Sequence, residues 1–251
     1  MKISTRKIIY AVVSITALLL IWELIVLLKD QPLIYPGIIQ ILKNLISKLN
    51  LDTLKLVGYT LLRTTISILI VIVVTLIITF LYLIDRNTIS LFTPVINIMR
   101  STPLVVISLF IFLLFDKIGA YIITILVILP VAVEGVKTAV DGIDKNLLDD
   151  LKLISPSMFK SIIYVYIPLI KDYLIMIFVQ VFGLGFKVMV MGELFCYTKN
   201  SIGKELSLLK NADQLVDLIS WGIIIVLLVV IIEFIVKLIV KRQENKIKIK
   251  N

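Results

Sequence analysis

Residues 64–84 read TTISILIVIVVTLIITFLYLI, and this stretch decides the fold. It carries no charged residue and has the length of the about 20 apolar residues that a membrane-spanning helix needs. Working outward, residues 8–28 qualify too, with Glu23 as their only charge, and nothing like a small-residue cleavage site follows them. Residues 89–115 are apolar apart from Arg100, with Pro94 and Pro103 inside, and residues 118–133 form a shorter uncharged run. Residues 173–198 carry Lys187 and Glu193, and residues 218–236 carry Glu233. The expectation is an all-α membrane protein of about six transmembrane helices. The third and fourth spans are divided only by Asp116 and Lys117.

Composition agrees. Of 251 residues, 60% are hydrophobic and only 17% charged, and mean hydropathy is +1.09. Soluble domains are nearer 45–50% apolar and about 25% charged. Histidine is absent, which removes His-based triads, His proton relays and most zinc sites. Cys196 is alone, so no intramolecular disulfide can form. The net charge of +9 points to anionic lipid rather than nucleic acid in so apolar a chain.

With the N-terminus inside, the inner segments hold the larger share of the 26 Lys and Arg, including Lys2, Arg6, Lys7, Arg86, Lys137, Lys145, Lys152, Lys160, Lys171 and the basic tail 241–251. The outer segments hold Lys29, Lys43, Lys48, Lys55, Lys117, Lys199, Lys204 and Lys210. The positive-inside rule therefore puts both termini in the cytoplasm. Trp22 and Trp221 would both sit toward the outer face, as an aromatic belt allows.

Two segments do not span. In residues 36–49, Pro36 opens a helix with Ile38, Ile39, Ile41, Leu42, Leu45, Ile46 and Leu49 on one face and Gln40, Lys43, Asn44, Ser47 and Lys48 on the other. Such a helix lies on the outer membrane surface or packs on the protein's own rim. The second is the long polar inner loop, residues 135–171, ending at Pro168 before the fifth span. Leu147, Leu148, Leu151 and Ile154 share a face flanked by Asp149, Asp150 and Lys152, and Ser155-Pro156 breaks that helix and caps another. A connector is usually much shorter, so a cytoplasmic partner is expected to dock here. Residues 1–53 thus hold the first span and the outer helix, 54–240 the main transmembrane domain and 241–251 a basic tail.

The run Asp149-Asp150-Leu151-Lys152-Leu153-Ile154-Ser155, followed after twelve residues by Pro168, resembles the loop motif of ABC-importer permeases: Glu-Ala-Ala, three residues, Gly, then a hydrophobic residue and Pro. Asp149 stands in the Glu position, Asp150 and Leu151 in the Ala positions, Ser155 in the Gly position and Ile167-Pro168 in the closing pair. Further stretches are similar to the nitrate/sulfonate/taurine branch of binding-protein-dependent permeases. They are Tyr35-Pro36, Thr60-Leu61-Leu62-Arg63, Met99-Arg100-Ser101-Thr102-Pro103-Leu104, Glu134-Gly135-Val136-Lys137, Gly192-Glu193 and Ser201-Ile202-Gly203. The resemblance covers roughly residues 35–240. It implies a type I ABC importer permease fold in the plasma membrane of a prokaryote, a second permease subunit as the same chain, an extracytoplasmic solute-binding protein, and a cytoplasmic ABC ATPase dimer gripping Asp149, Asp150, Leu151, Ser155 and Pro168. It also implies a small solute such as a sulfonate, nitrate or a pyrimidine precursor. Independently, the chain has no GxxxxGK[ST] loop, so no cofactor is expected on it and ATP is handled by another chain.

Charges at membrane depth are costly and face the bundle interior or water. Glu23 and Glu233 lie near span ends and suit snorkelling or pairing. Arg63, at an outer boundary, suits headgroups. Arg100, Lys187 and Glu193 are the pathway candidates, against the alternative that either cation forms a structural salt bridge with Glu193. Gly183, Gly185 and Gly192 permit close approach at a dimer interface or pore-lining helix. A small ion-coupled secondary transporter would need titratable groups near mid-membrane, and Glu193 and Glu134 are the candidates. A membrane enzyme would have few residues for catalysis.

Overall fold

The structure, a computed structural model, describes residues 5–29, 31–32, 34–144 and 158–248, and it is helical throughout, with no strand among them. The helices are α1 (Thr5–Lys29), α2 (Ile38–Ser47), α3 (Leu51–Ile84), α4 (Ile89–Ser101), α5 (Leu104–Phe115), α6 (Gly119–Asp141), α7 (Met158–Ser161), α8 (Ile167–Phe195), α9 (Ile202–Asn211) and α10 (Leu215–Lys248). Among the described residues, five stretches are long and apolar enough to cross a membrane: Val12–Lys29, Leu51–Ile84, Leu104–Asp141, Phe159–Phe195 and Leu215–Ile235. The third turns back on itself at Asp116, whose φ is 43°. There Gly119 meets Ile111, and Leu104 and Val127 share one apolar cluster, so α5 and α6 are antiparallel.

The expected third span, 89–115, is not one helix. Pro103 has no N–H and crowds the residue before it, so Thr102 is extended (φ −77°, ψ 126°) and α4 ends. α5 alone is about 18 Å long at 1.5 Å per residue, short of a hydrocarbon core of about 30 Å.

The chain divides into two compact units. The first comprises residues 1–54 and 205–227. In it, α1 and α2 are tied at two points. The Trp22 indole N–H donates to the Pro36 carbonyl at 3.1 Å, and the Glu23 carboxylate accepts from the Ile38 N–H at 3.3 Å, at the start of α2. The carboxylate takes the place of an N-cap side chain, which Gly37 cannot supply. The apolar face expected on residues 36–49 divides. Ile41 is buried, whereas Ile39, Leu42, Ile46 and Leu49 stay exposed. Lys48 pairs with Asp217 at the far end of α2. Trp221 is only 1% exposed, so it is a core residue and not part of an interfacial belt.

The second unit comprises residues 55–204 and 228–251. Along α3 the buried residues include Val57, Thr60, Thr64, Ser67, Val71, Thr75, Ile78 and Tyr82, spaced three and four apart on one face, with Ile68 and Leu83 beside them. In a helix without solvent around it, the small hydroxylated residues mark the packed side, because they let backbones come close. α6 and α8 form the antiparallel centre: Gly192 meets the Ala120 backbone, Gly185 meets Ile128 and Ile177 meets Gly135. A Cβ at Gly192 would stand 3.0 Å from the Ala120 Cα. Gly183 lies against Val229 and Glu233. The close approach expected of the three α8 glycines, at a dimer interface or a pore-lining helix, is thus made here to helices of the same chain.

Pro168 does not delay the fifth span until residue 173. It lies in the first turn of α8, in a helical run that begins at Met158 and passes through a π turn at Ile162–Tyr166. The Ile167 N–H reaches back to the Ile162 carbonyl, and this wider turn absorbs the proline without a break.

Candidate coupling and pathway sites

Asp149, Asp150, Leu151 and Ser155 lie outside the described residues, but both stems of their loop are placed. Tyr82 and Leu83 at the end of α3, Val136, Ala139 and Val140 at the end of α6, and Ile170 on α8 form one apolar cluster. Ile143 from the first stem and Ile162 and Tyr166 from the second pack on it. Two stems that leave and re-enter on one packed seam cannot move independently of the helices they join.

A polar knot stands beside this seam, and the sequence reading missed it. The Tyr82 hydroxyl donates to Asp141 Oδ1, which also accepts from Arg86 Nη1 at 2.9 Å. Lys137 Nζ donates to Asp141 Oδ2 at 3.0 Å. The Arg86 guanidinium lies 4.5 Å from the Tyr82 ring centroid. The knot binds the end of α3 to the end of α6 at the root of the loop. The i,i+4 spacing of Lys137 and Asp141 was readable in the sequence; their meeting with Tyr82 and Arg86 was not.

At the opposite end of α3, α6 and α8, three separated motifs converge on Glu193. Its side chain is wholly buried. Oε1 accepts from Arg63 Nη1 at 2.8 Å, and Oε2 accepts from the Thr60 hydroxyl at 2.9 Å and the Gly203 N–H at 3.4 Å. Thr60 Oγ1 in turn accepts from the Ile202 N–H at 3.2 Å. Arg63 also donates to the carbonyls of Lys199 and Asn200 at 2.9 and 3.1 Å. The chain can turn between α8 and α9 because Tyr197 and Asn200 adopt φ of 46° and 51°. Gly203 is required by space: a Cβ there would fall 2.4 Å from the Leu194 nitrogen.

Glu193 is therefore paired with Arg63, and neither Arg100 nor Lys187 reaches it. Arg63 is engaged by Glu193 and the Lys199 and Asn200 carbonyls and is not held out for headgroups. Arg100 pairs instead with Glu134, each side chain 52% exposed, so this ion pair joins α4 to α6 on an uncovered face. Lys187 is exposed on α8 and makes no ion pair among the described residues. Tyr173, Met176, Gln180, Lys187 and Met191 share that uncovered face of α8. Thr60 and Arg63 are three apart and so share a helix face, which the sequence shows, but nothing in their spacing points to Glu193.

A family model described as Binding-protein-dependent transport system inner membrane component matches residues 86–249. The matched stretch contains the loop, Arg100, Lys187 and Glu193, while Thr60 and Arg63 precede it. No curated protein matches the chain.

Proposed function

The chain belongs to the family of inner membrane components of binding-protein-dependent transport systems, and from that premise we propose that it is the permease subunit of an ATP-driven importer. Two copies enclose a pathway for a small solute of the sulfonate, nitrate or pyrimidine-precursor kind. A solute-binding protein delivers the solute, and a cytoplasmic ATPase dimer grips the loop around Asp149, Asp150, Leu151 and Ser155, with both termini on the ATPase side. Closure of the ATPases moves the loops as rigid levers and produces alternating access.

The observation that supports this reading best is the clamping of both loop stems on the Tyr82–Val140–Ile170 seam. A loop rooted so firmly passes a push at its tip to three helices together. Arg100 and Lys187 remain the pathway candidates, since both stand on uncovered faces and Lys187 lies within the apolar stretch Phe159–Phe195. The ion-coupled alternative loses ground because Glu193 is committed to Arg63, Thr60 and Gly203.

The test is solute uptake in vesicles holding the chain with its ATPase and binding protein. Asp149→Arg combined with Leu151→Asp abolishes ATP-driven uptake and leaves the unfolding temperature unchanged. Uptake at the unmodified rate overturns the loop assignment.

A further inference from the structure

A crevice runs between α3 and the α7–α8 stretch, with α6 as its floor. It consists of two adjoining voids of about 390 and 230 Å³ that share Leu76, Val136 and Leu174 as lining. The larger void is nearer the loop stems, and the π turn forms part of its wall. The lining is apolar almost throughout. At the mouth, Ile77, Phe159 and Ile163 are 56%, 62% and 41% exposed, so the crevice opens sideways toward the bilayer.

Its length identifies what fits. On α3 the lining extends from Val71 to Leu83, a rise of about 18 Å at 1.5 Å per residue. One leaflet of a hydrocarbon core of about 30 Å is about 15 Å deep. On α3 the crevice occupies the loop-side part of the uncharged run 64–84, itself about 30 Å long at 1.5 Å per residue, so it starts near the headgroup level and ends near the midplane. An empty apolar crevice would forfeit dispersion contacts along both walls, and water finds too few polar partners there to fill it.

We propose that this crevice is a lipid site holding one acyl chain from the leaflet on the loop side. The chain lies against Val136 and Leu174, with its terminus near Val71 and Val181. The occupied site stiffens the wall that carries the π turn and the second loop stem. It thereby ties the packing of that stem to the surrounding lipid, independently of any transported solute.

Photolabelling tests this without reference to transport. The purified chain is placed in nanodiscs with a phosphatidylcholine carrying a diazirine at the end of one acyl chain, and adducts are mapped by peptide mass spectrometry. The expected result is labelling around Val71–Leu76 and Leu174–Val181 at several times the yield on freely exposed residues such as Leu113. Val136→Phe, which fills the floor, and Ile163→Trp, which narrows the accessible mouth, each reduce that labelling several-fold. Equal yield at the crevice and at Leu113 overturns the proposal. So does a disulfide formed between Ile163→Cys on two copies, which would put a second subunit there, or one formed within a chain between Ile163→Cys and Leu151→Cys, which would put the loop there. Cys196 is replaced by Ser in the disulfide variants.

Discussion

At one end of the α3–α6–α8 bundle Glu193 is wholly buried, and at the other Asp141 holds a comparable set of partners with 38% of its side chain exposed. Both carboxylates accept from an arginine and a hydroxyl, and both join α3 to another helix. The surroundings differ. Around Glu193 the partners include backbone groups of the turn into α9, so removing the acid frees an arginine and a loop together. Around Asp141 water can replace any partner that leaves. A buried charge that loses its partner is costly, whereas an exposed pair contributes at most about 1 kcal/mol. The first end is therefore built as a fixed joint, and the second as a joint that can be rearranged next to the loop.

Breaking the buried joint gives the largest expected effect. Glu193→Ala leaves Arg63 without its counter-charge and lowers unfolding stability by about 3–5 kcal/mol, read from thermal or denaturant unfolding in detergent. An equal loss in Glu193→Ala and in the Arg63→Met, Glu193→Ala double variant would contradict this, since removing both charges should restore part of the stability. Gly203→Ala comes next. Its new Cβ meets backbone rather than a flexible side-chain end, and overpacking of this sort costs about 1–3 kcal/mol in the same measurement.

Asp141→Asn sharpens the contrast from the other side. Its stability changes by less than about 1 kcal/mol, while ATP-driven uptake in reconstituted vesicles falls severalfold, because the charged tie between the end of α3 and the loop root is lost. Unchanged uptake would make the knot a bystander. The smallest effect belongs to Lys187→Ala, which shifts stability by no more than about 0.5 kcal/mol because its exposed ammonium makes no ion pair among the described residues. A larger loss would show that Lys187 holds the fold rather than facing a pathway.

Much of this architecture was legible in the sequence, for a definite reason. Lipid as solvent demands long uncharged runs, and residues 64–84 could be nothing else. The reversal at Asp116-Lys117 was also visible as a polar interruption. Pro103 was seen inside the third span, yet its effect on Thr102 turned one helix into two. The candidate site was less legible. Arg63 and Glu193 are 130 positions apart, and a lone charge in an apolar run does not name its partner. The Tyr82–Asp141 knot was hidden for the same reason, since each member alone reads as a helix end near water. The three glycines of α8 carried a true signal of close approach, but nothing in their spacing said which helix would approach.

The π turn at Ile162–Tyr166 has one more consequence. A turn with one extra residue acts as a phase shift: everything before it is rotated by about 100° relative to a regular α-helix, the angle of one residue at 3.6 per turn. Phe159 and the stem that carries the loop therefore point where they do because of that single surplus position. Deleting one residue from this turn would leave composition and apolar length almost unchanged. It would still swing the loop's root about a quarter of the way around the helix, away from the seam it shares with Val140.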